Sequence, residues 1–378
     1  MEFELMHKNV SVAIVSIDED GDMNRILHVH NLDHMPVGVV VNGHSDRVRL
    51  KKWWRGRCIP ATRNGLRQFL EFLDLSVPTE LLSKSYGLSL SDQYWVRPEG
   101  SGLTWDSLNF FDNSFSEDIG NLLLGRRSCS ESISMVSPDN TSDGVLRKRW
   151  AIIDGKRCLL KSASGSMPQE PFNEVVASTL MDSLGVPHVR YTLVQDAGYP
   201  FSSCEDFING STELVTAAHL MATKTKGNDE SVYRHYVRCC DDVGIDVVPA
   251  LDQMLVVDYI MCNTDRHTNN FGLIRNAESL DYIGPAPLYD TGSSLGCNVV
   301  DGQFDKVPRQ EPKPFAKSFE EQLGLVHSFD WVDQDRMYGC LDDISHVLGA
   351  FDVIPGSRRA LILNLLKSRM DDICMRMH

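Results

Sequence analysis

The segment from Asp265 to Gly272, Asp-Arg-His-Thr-Asn-Asn-Phe-Gly, and the segment Pro287-Leu288-Tyr289-Asp290-Thr291-Gly292 constrain this chain more than anything else in it. An Asp, an Asn five residues on, and a second Asp after a short apolar run are the parts that phosphoryl transfer requires. The first Asp can hold and deprotonate a hydroxyl. The Asn and the second Asp supply hard oxygen ligands for Mg2+ on ATP phosphates. DxxxxN alone is a common turn or helix cap. Here it follows an apolar, charge-poor stretch over residues 247–261 and precedes Phe271-Gly272-Leu273-Ile274. That placement predicts a loop at a helix end in which Asp265 faces a nucleophile and Asn270 turns toward metal. Asp290 is expected at a strand end pointing into the cleft, with Gly292 allowing a sharp turn.

Upstream lies the other half of such a site. Trp150-Ala151-Ile152-Ile153, Asp154-Gly155 and Arg157-Cys158-Leu159-Leu160-Lys161 read as a hairpin with an Asp-Gly turn. A helix follows, with Phe172, Val175, Val176, Thr179, Leu180 and Leu184 on one face and Gly185 at its end. The next strand is expected over residues 189–194. Lys161 would be an edge residue on an ordinary strand. In this order of elements it can instead grip the α- and β-phosphates, held by Glu174 in the first turn of the helix, with Glu170 as the fallback partner. Glu174 could equally be there to favour the helix dipole.

The loop Ser137-Pro138-Asp139-Asn140-Thr141-Ser142-Asp143-Gly144 precedes the hairpin and holds one glycine. Ser137, Asn140, Thr141, Ser142 and Gly144 are candidate phosphate contacts, because a turn-rich backbone can offer amides without several glycines. An ordinary surface loop is the alternative. Arg147, Lys148 and Arg149 could add positive charge. His267 either orients the catalytic loop or packs as a satisfied histidine. Cys204-Glu205-Asp206-Phe207 falls where a lobe-connecting hinge would meet adenine, which makes Glu205 and Phe207 nucleotide contacts by position.

At 378 residues the chain can bury two or three packed units. Residues 1–118 read as an accessory α+β unit: a β-rich run at Val10, Val12, Ile14 and Val15, a turn at residues 18–22, a strand over 37–41, and a helix around Leu66, Phe69, Leu70 and Leu73. Residues 119–212 form a small β-rich lobe and residues 213–378 a mainly helical one, with amphipathic helices over 313–327 and 357–377. The fold class is α+β, a two-lobed protein-kinase-like fold with that accessory unit. No apolar run nears the ~18 residues of a membrane span, and Met1 to Lys8 lacks the order of a secretory signal. The expectation is a cytoplasmic protein with no membrane partner. Ten scattered cysteines, from Cys58 to Cys374 and without a CxxC pair, suit reduced thiols better than zinc. A net charge of -15 argues against direct nucleic-acid binding, although Arg47, Arg49, Lys51, Lys52, Arg55 and Arg57 make a local basic cluster.

With these residues in place, the chain resembles the HipA-like serine/threonine kinases, bacterial toxins of toxin–antitoxin modules and their relatives. The resemblance spans roughly residues 135–340 and rests on Asp265 to Phe271 and Pro287 to Asp290, together with Cys158 to Lys161 and Asn173-Glu174. It implies ATP and Mg2+ as cofactors, Asp265 as the catalytic base, Asn270 and Asp290 as metal ligands, and Lys161 with Glu174 as the ATP-anchoring pair. It further implies a protein substrate with a Ser or Thr acceptor, an antitoxin-like partner, and self-phosphorylation on a loop hydroxyl, with Ser137, Thr141 and Ser142 as candidates. Two other readings stay open: a nucleotide-binding pseudokinase or regulatory module, and a small-molecule phosphotransferase.

Overall fold

The computed structural model describes residues 1–378 except 61–62, 64–65, 127–132, 143, 145, 164–166 and 378. The N-terminal part is built on an antiparallel sheet. Strands β1 (Glu2–His7), β2 (Val10–Ile17) and β3 (Met23–Val29) form a meander, and a short hairpin of β4 (Val40–Val41) and β5 (His44–Ser45) follows. Helices α1 (Arg47–Gly56), α2 (Leu66–Phe72) and α3 (Pro78–Lys84) precede β6 (Tyr94–Pro98), which pairs with β1 to give the order β3-β2-β1-β6. Alternation explains the sheet's buried face: Ala13, Val15 and Ile17, with Leu5, close on Leu50, Trp53 and Trp54 of α1. The strand expected over 37–41 is reduced to Val40–Val41, since Gly38 takes a left-handed φ of 84° that breaks an extended run.

Two short helices, α4 (Trp105–Leu108) and α5 (Asp118–Leu123), and a one-turn 3-10 helix (Pro138–Thr141) lead into the second sheet. Strands β7 (Lys148–Ile153) and β8 (Lys156–Lys161) form the expected hairpin. Asp154 and Gly155 both adopt positive φ, as a two-residue turn between twisted strands demands. Helix α6 (Glu170–Leu184) ends at Gly185 with φ 70°, and β9 (Tyr191–Asp196) and β10 (Tyr199–Glu205) complete the order β7-β8-β10-β9. One side of α6 packs on β9 and β10, and the other meets the helices of the C-terminal region, so nearly all of it is buried.

Past this lobe, β11 (Thr212–Thr216) is followed by α7 (Ala217–Met221), α8 (Val232–Asp241) and α9 (Val248–Met261). Strand β12 (Gly272–Asn276) pairs with β11 on one side and with β13 (Tyr282–Pro285) on the other, a three-stranded sheet. Helices α10 (Phe319–Leu323), α11 (Gln334–Gly339), α12 (Leu341–Gly349) and α13 (Gly356–Arg376) close the chain. Helix α9 has no polar stripe because it is buried all round, from Leu251 to Met261 in the largest core. The helix expected over 313–327 shrinks to Phe319–Leu323. Ser318 caps its start, and before it the backbone N–H of Phe315 bonds the Gln322 side chain instead of a helical carbonyl. The whole is the α+β, two-lobed kinase-like architecture with an N-terminal α+β unit packed beside it.

Candidate active site

Between the two sheets and the N-terminal unit lies a cavity of about 1060 Å³. Among the residues that line it are Lys161, Asp265, His267, Asn270 and Asp290, and also Thr141, Ser142, Gly144, Glu205 and Phe207. Ser137 and Asn140 are elsewhere. Both are buried in the one-turn helix, where the Asn140 amide donates to the Met135 carbonyl and Ser137 Oγ bonds Asp139. Asp143, part of the same loop, lies outside the described residues. Glu174 stands behind the cavity wall rather than on it, and in the second turn of α6, not the first.

Lys161 ends β8 with its ammonium between two carboxylates. Its Nζ lies 2.8 Å from Glu174 Oε1 and 2.6 Å from Asp290 Oδ1, with the Tyr191 hydroxyl at 3.3 Å. Burial alone would lower the Lys161 pKa, but Asp290 and Glu174 outweigh it and hold the ammonium charged well above its ordinary range. Burial pushes the Glu174 carboxyl up, and Lys161 offsets this only in part. Asp290 is also penalised by burial, yet Lys161 and then Lys148 pull it below the usual carboxylate range. One buried cation thus serves two acids, and the balance of burial and charge runs upward at Glu174 and downward at Asp290.

Local geometry fixes this trio. Leu288 makes an isolated bridge to His188, and Asp290 then takes a left-handed φ of 58°, so the carboxylate sits on a turn and not at a strand end. Asp290 itself makes the turn that was expected of Gly292. A Cβ at Gly292 would press within 3.3 Å of Glu174 Oε1 and the Glu170 carbonyl, so the glycine gives Glu174 room to approach. Glu174 Oε2 in turn accepts the Thr291 N–H at 2.8 Å. Glu170 is buried nearby, and the carboxylates within ion-pair distance of Lys161 are Glu174 and Asp290.

The Asp265 loop is held from behind by a buried ion pair that the motif alone did not reveal. Helix α9 stops abruptly at Cys262, φ 49°, and the Asn263 N–H returns to the Asp258 carbonyl at 2.9 Å. Arg266, with no exposed side chain, forks onto Asp258 at 2.9 and 3.0 Å. Its remaining nitrogen donates to the carbonyls of Asn270 (3.0 Å) and Tyr289. One guanidinium therefore joins α9, the Asp265 loop and the segment carrying Asp290. The signal was available: Asp258 interrupts an otherwise apolar helix, and a buried carboxylate must have a partner. Asn270 Nδ2 donates to the Asp265 carbonyl at 3.0 Å, which spends the amide nitrogen on the loop and leaves Oδ1 as the oxygen for a ligand. His267 Nδ1 faces the Asn269 N–H at 3.3 Å, an orienting contact within the loop.

Three further residues complete the site. Lys148 stands opposite Lys161 in the β7–β8 register, buried and close enough for its charge to act on Asp290. Tyr191 anchors Lys161 and receives the Asp290 N–H at 3.3 Å. Lys313 reaches Asp265 Oδ1 at 2.8 Å from a distant segment. On the opposite side, α1 supplies Arg49, Lys52 and Trp53 to the cavity wall, and Arg57 just past its end joins them. Arg57 is spent on Asp92, and Arg49 bridges the carbonyls of Gly38 and Ala222. The basic cluster therefore divides between intramolecular bonds and a wall of the cavity.

The described cysteines carry no disulfide, and among the described residues no group of three His, Cys, Asp or Glu could hold a metal. A magnesium ion on ATP requires less of the protein, because phosphate and water oxygens fill most positions. The Asp290 carboxylate and Asn270 Oδ1, two hard oxygens on one cavity, suit that donor set.

No protein-family profile matches the chain. The serine/threonine-protein kinase CtkA of Helicobacter pylori is 24% identical over 211 residues, which is 48% of this chain and 60% of that protein. The similarity thus spans about three fifths of the relative's length. The crystal structure of the proinflammatory kinase CtkA from Helicobacter pylori aligns with a TM-score of 0.46 and 19% identity, over 61% of this chain and 94% of that one. HipA of Shewanella oneidensis MR-1, in a complex of the toxin–antitoxin system HipA, HipB and its operator DNA, aligns with a TM-score of 0.54 and 13% identity over 99% of both chains. The likeness to HipA takes in the N-terminal unit as well as both lobes.

Proposed function

We propose that this chain, whose fold is that of the HipA-like kinases, transfers the γ-phosphoryl group of ATP to a serine or threonine hydroxyl of a protein. The observation that carries the reading is the meeting of Lys161, Glu174 and Asp290 on a cavity that also opens onto Asp265 and Asn270. The reading is supported by the similarity to a serine/threonine kinase over half the chain.

In this reading Asp265 accepts the hydroxyl proton and aligns the oxygen for attack. Lys161, kept charged and rigid by Glu174, holds the α- and β-phosphates. Asn270 and Asp290 would hold magnesium, which neutralises phosphate charge when bound. Leu159, Val189, Cys204 and Ile208 line an apolar pocket suited to adenine, beside the hinge backbone at Glu205 and Phe207. Self-phosphorylation is proposed for the loop hydroxyls on the cavity, Thr141 and Ser142, because Ser137 is wholly buried. The protein substrate and an antitoxin-like partner are proposed on the same likeness.

Purified protein with Mg2+ and γ-labelled ATP tests this. Asp265→Ala is expected to lower transfer by about 10²–10⁴-fold while ATP affinity stays within a few fold. Asp290→Ala is expected to lose magnesium-dependent nucleotide binding as well. ATP affinity falling in parallel with transfer in Asp265→Ala would contradict the base assignment. Label on a small molecule instead of protein would move the acceptor class.

A further inference from the structure

Asp265 is held from both sides, by its backbone N–H and by its carboxylate. Behind it, the Asn263 side chain accepts the Asp265 N–H at 3.0 Å, and Asn263 itself rests on Asp258 at 2.9 Å. In front, Lys313 Nζ donates to Oδ1 at 2.8 Å, with both side chains about half exposed and Asp265 on the lining of the cavity. Among the described residues, Asp265 is the hydrogen-bond partner of Lys313, and Oδ2 has none.

Lys313 arrives there on a fixed support. Phe315, two residues on, packs its ring edge-on against Phe271 (5.9 Å) and Tyr233 (5.3 Å), and Phe271 directly follows Asn270. The Phe315 N–H is taken by Gln322, a nearly fully buried side chain of α10, and Phe319 and Leu323 root that helix in the main core. The same aromatic cluster thus braces the end of the Asp265 loop and the segment that delivers Lys313.

We infer that Lys313 is a catalytic cation of the transfer step, contacting the phosphoryl group as it moves from ATP to the acceptor. The inference rests on the phosphotransfer reading. A hydroxyl poised for attack must sit within hydrogen-bond reach of Asp265, and Oδ2 is the oxygen left for it. The two oxygens of one carboxylate are so close that this hydroxyl, and the phosphorus it attacks, come within reach of the Lys313 ammonium. The acceptor oxygen bonds to the γ-phosphorus while the bond from phosphorus to the β,γ-bridging oxygen breaks. The hydroxyl proton goes to Asp265, and ADP departs with the electron pair. Lys313 takes no part in the proton transfer and turns its other N–H groups to the phosphoryl oxygens as their charge redistributes. Arg266 is buried and fully engaged, and Lys161 and Lys148 stand on the Asp290 side; Lys52 and Lys224 also line the cavity, but Lys313 is the cation bonded to the Asp265 carboxylate.

The test uses the full chain with Lys313→Met and Lys313→Arg. Transfer of label from γ-labelled ATP is followed on the protein itself and on dephosphorylated casein, beside Mg-ATP affinity and thermal melting. Lys313→Met is expected to lower kcat by about 10²-fold with KM for ATP, ATP affinity and melting temperature unchanged, and Lys313→Arg to recover most of the rate. Activity of Lys313→Met within twofold of the wild type overturns the inference, as does a rise in its rate, which would mark Lys313 as a latch. A loss shared equally between kcat and ATP affinity also overturns it. A wild-type chain that binds ATP and labels neither acceptor overturns the phosphotransfer reading itself, and the role of Lys313 with it.

Discussion

The fold shuts Asp139 and the Oδ2 of half-buried Asp206 away from water, and among the described residues no cation lies within ion-pair distance of either. Burial raises Asp139 to about 7, against the Trp150 N–H that bonds it, and raises Asp206 at the hinge to about 8. An acid whose folded pKa is raised keeps its proton in the native state after the unfolded chain has released it. Stability therefore falls as pH climbs from about 4, and the loss levels off near pH 7 for Asp139 and near pH 8 for Asp206. Urea unfolding of the unliganded chain should show the share of stability set by these two acids declining across that window. Asp139→Asn, which keeps an acceptor for Trp150, should flatten the decline. A curve as steep in the variant as in the wild type would contradict this account. At this scale the sequence was partly legible. Lys161, Asp265, Asn270 and Asp290 could be picked out because their types and spacings name a chemistry, and the structure brings all four to one cavity. Lys313 and Tyr191 could not, since a lysine in a loop and a tyrosine in a strand carry no signal until the fold closes.

Among the elements, α9 and the loop after it act as one piece through Arg266. Removing the guanidinium leaves Asp258 buried and unpaired and strips a donor from two carbonyls that shape the loop. Arg266→Met should cost about 3–5 kcal/mol by urea unfolding. Asp258→Leu with Arg266→Met should lose less than the two single losses combined, because an apolar pair replaces an orphaned charge. Full additivity would show that the two residues do not act as a pair. Gly185, left-handed at the end of α6, should cost about 1 kcal/mol or more when changed to Ala. Elements with strong local chemistry were readable in advance: the Asp154-Gly155 hairpin, α6 with its glycine stop, and the apolar α9. Those decided at long range were not. The 313–327 segment carries helical periodicity, but half of it is drawn off to brace the Asp265 loop through Phe315.

Across the whole molecule, the N-terminal unit and the lobes share a core and a polar seam. Met6, Leu88, Leu90 and Trp95 pack with Ile208, and Phe207, Leu214 and Ile274 lean on the same cluster. At the seam His7 bonds Glu213 at 3.1 Å and His34 at 2.9 Å, while Arg275 reaches Glu213 at 2.6 Å and the Tyr94 hydroxyl at 3.1 Å. Gln93 adds two bonds to the carbonyls of Asn209 and Thr212. Separating the unit would expose that apolar surface and take His7 and Tyr94 away from the Glu213–Arg275 pair. Calorimetry of the full chain should therefore give one cooperative transition, and residues 119–378 alone should aggregate or bind hydrophobic dyes. Two well-resolved transitions would refute the shared core. The wall that α1 lends to the cavity has a pharmacological side as well. On the proposed function, a compound that fills the apolar pocket at Leu159, Val189 and Cys204 and grows past Lys161 toward Trp53 and Lys52 leaves the two lobes and meets a surface built by the N-terminal unit. Selectivity over kinases that have only the two lobes would come from that end of the molecule, out of reach of any inhibitor confined to the ATP footprint.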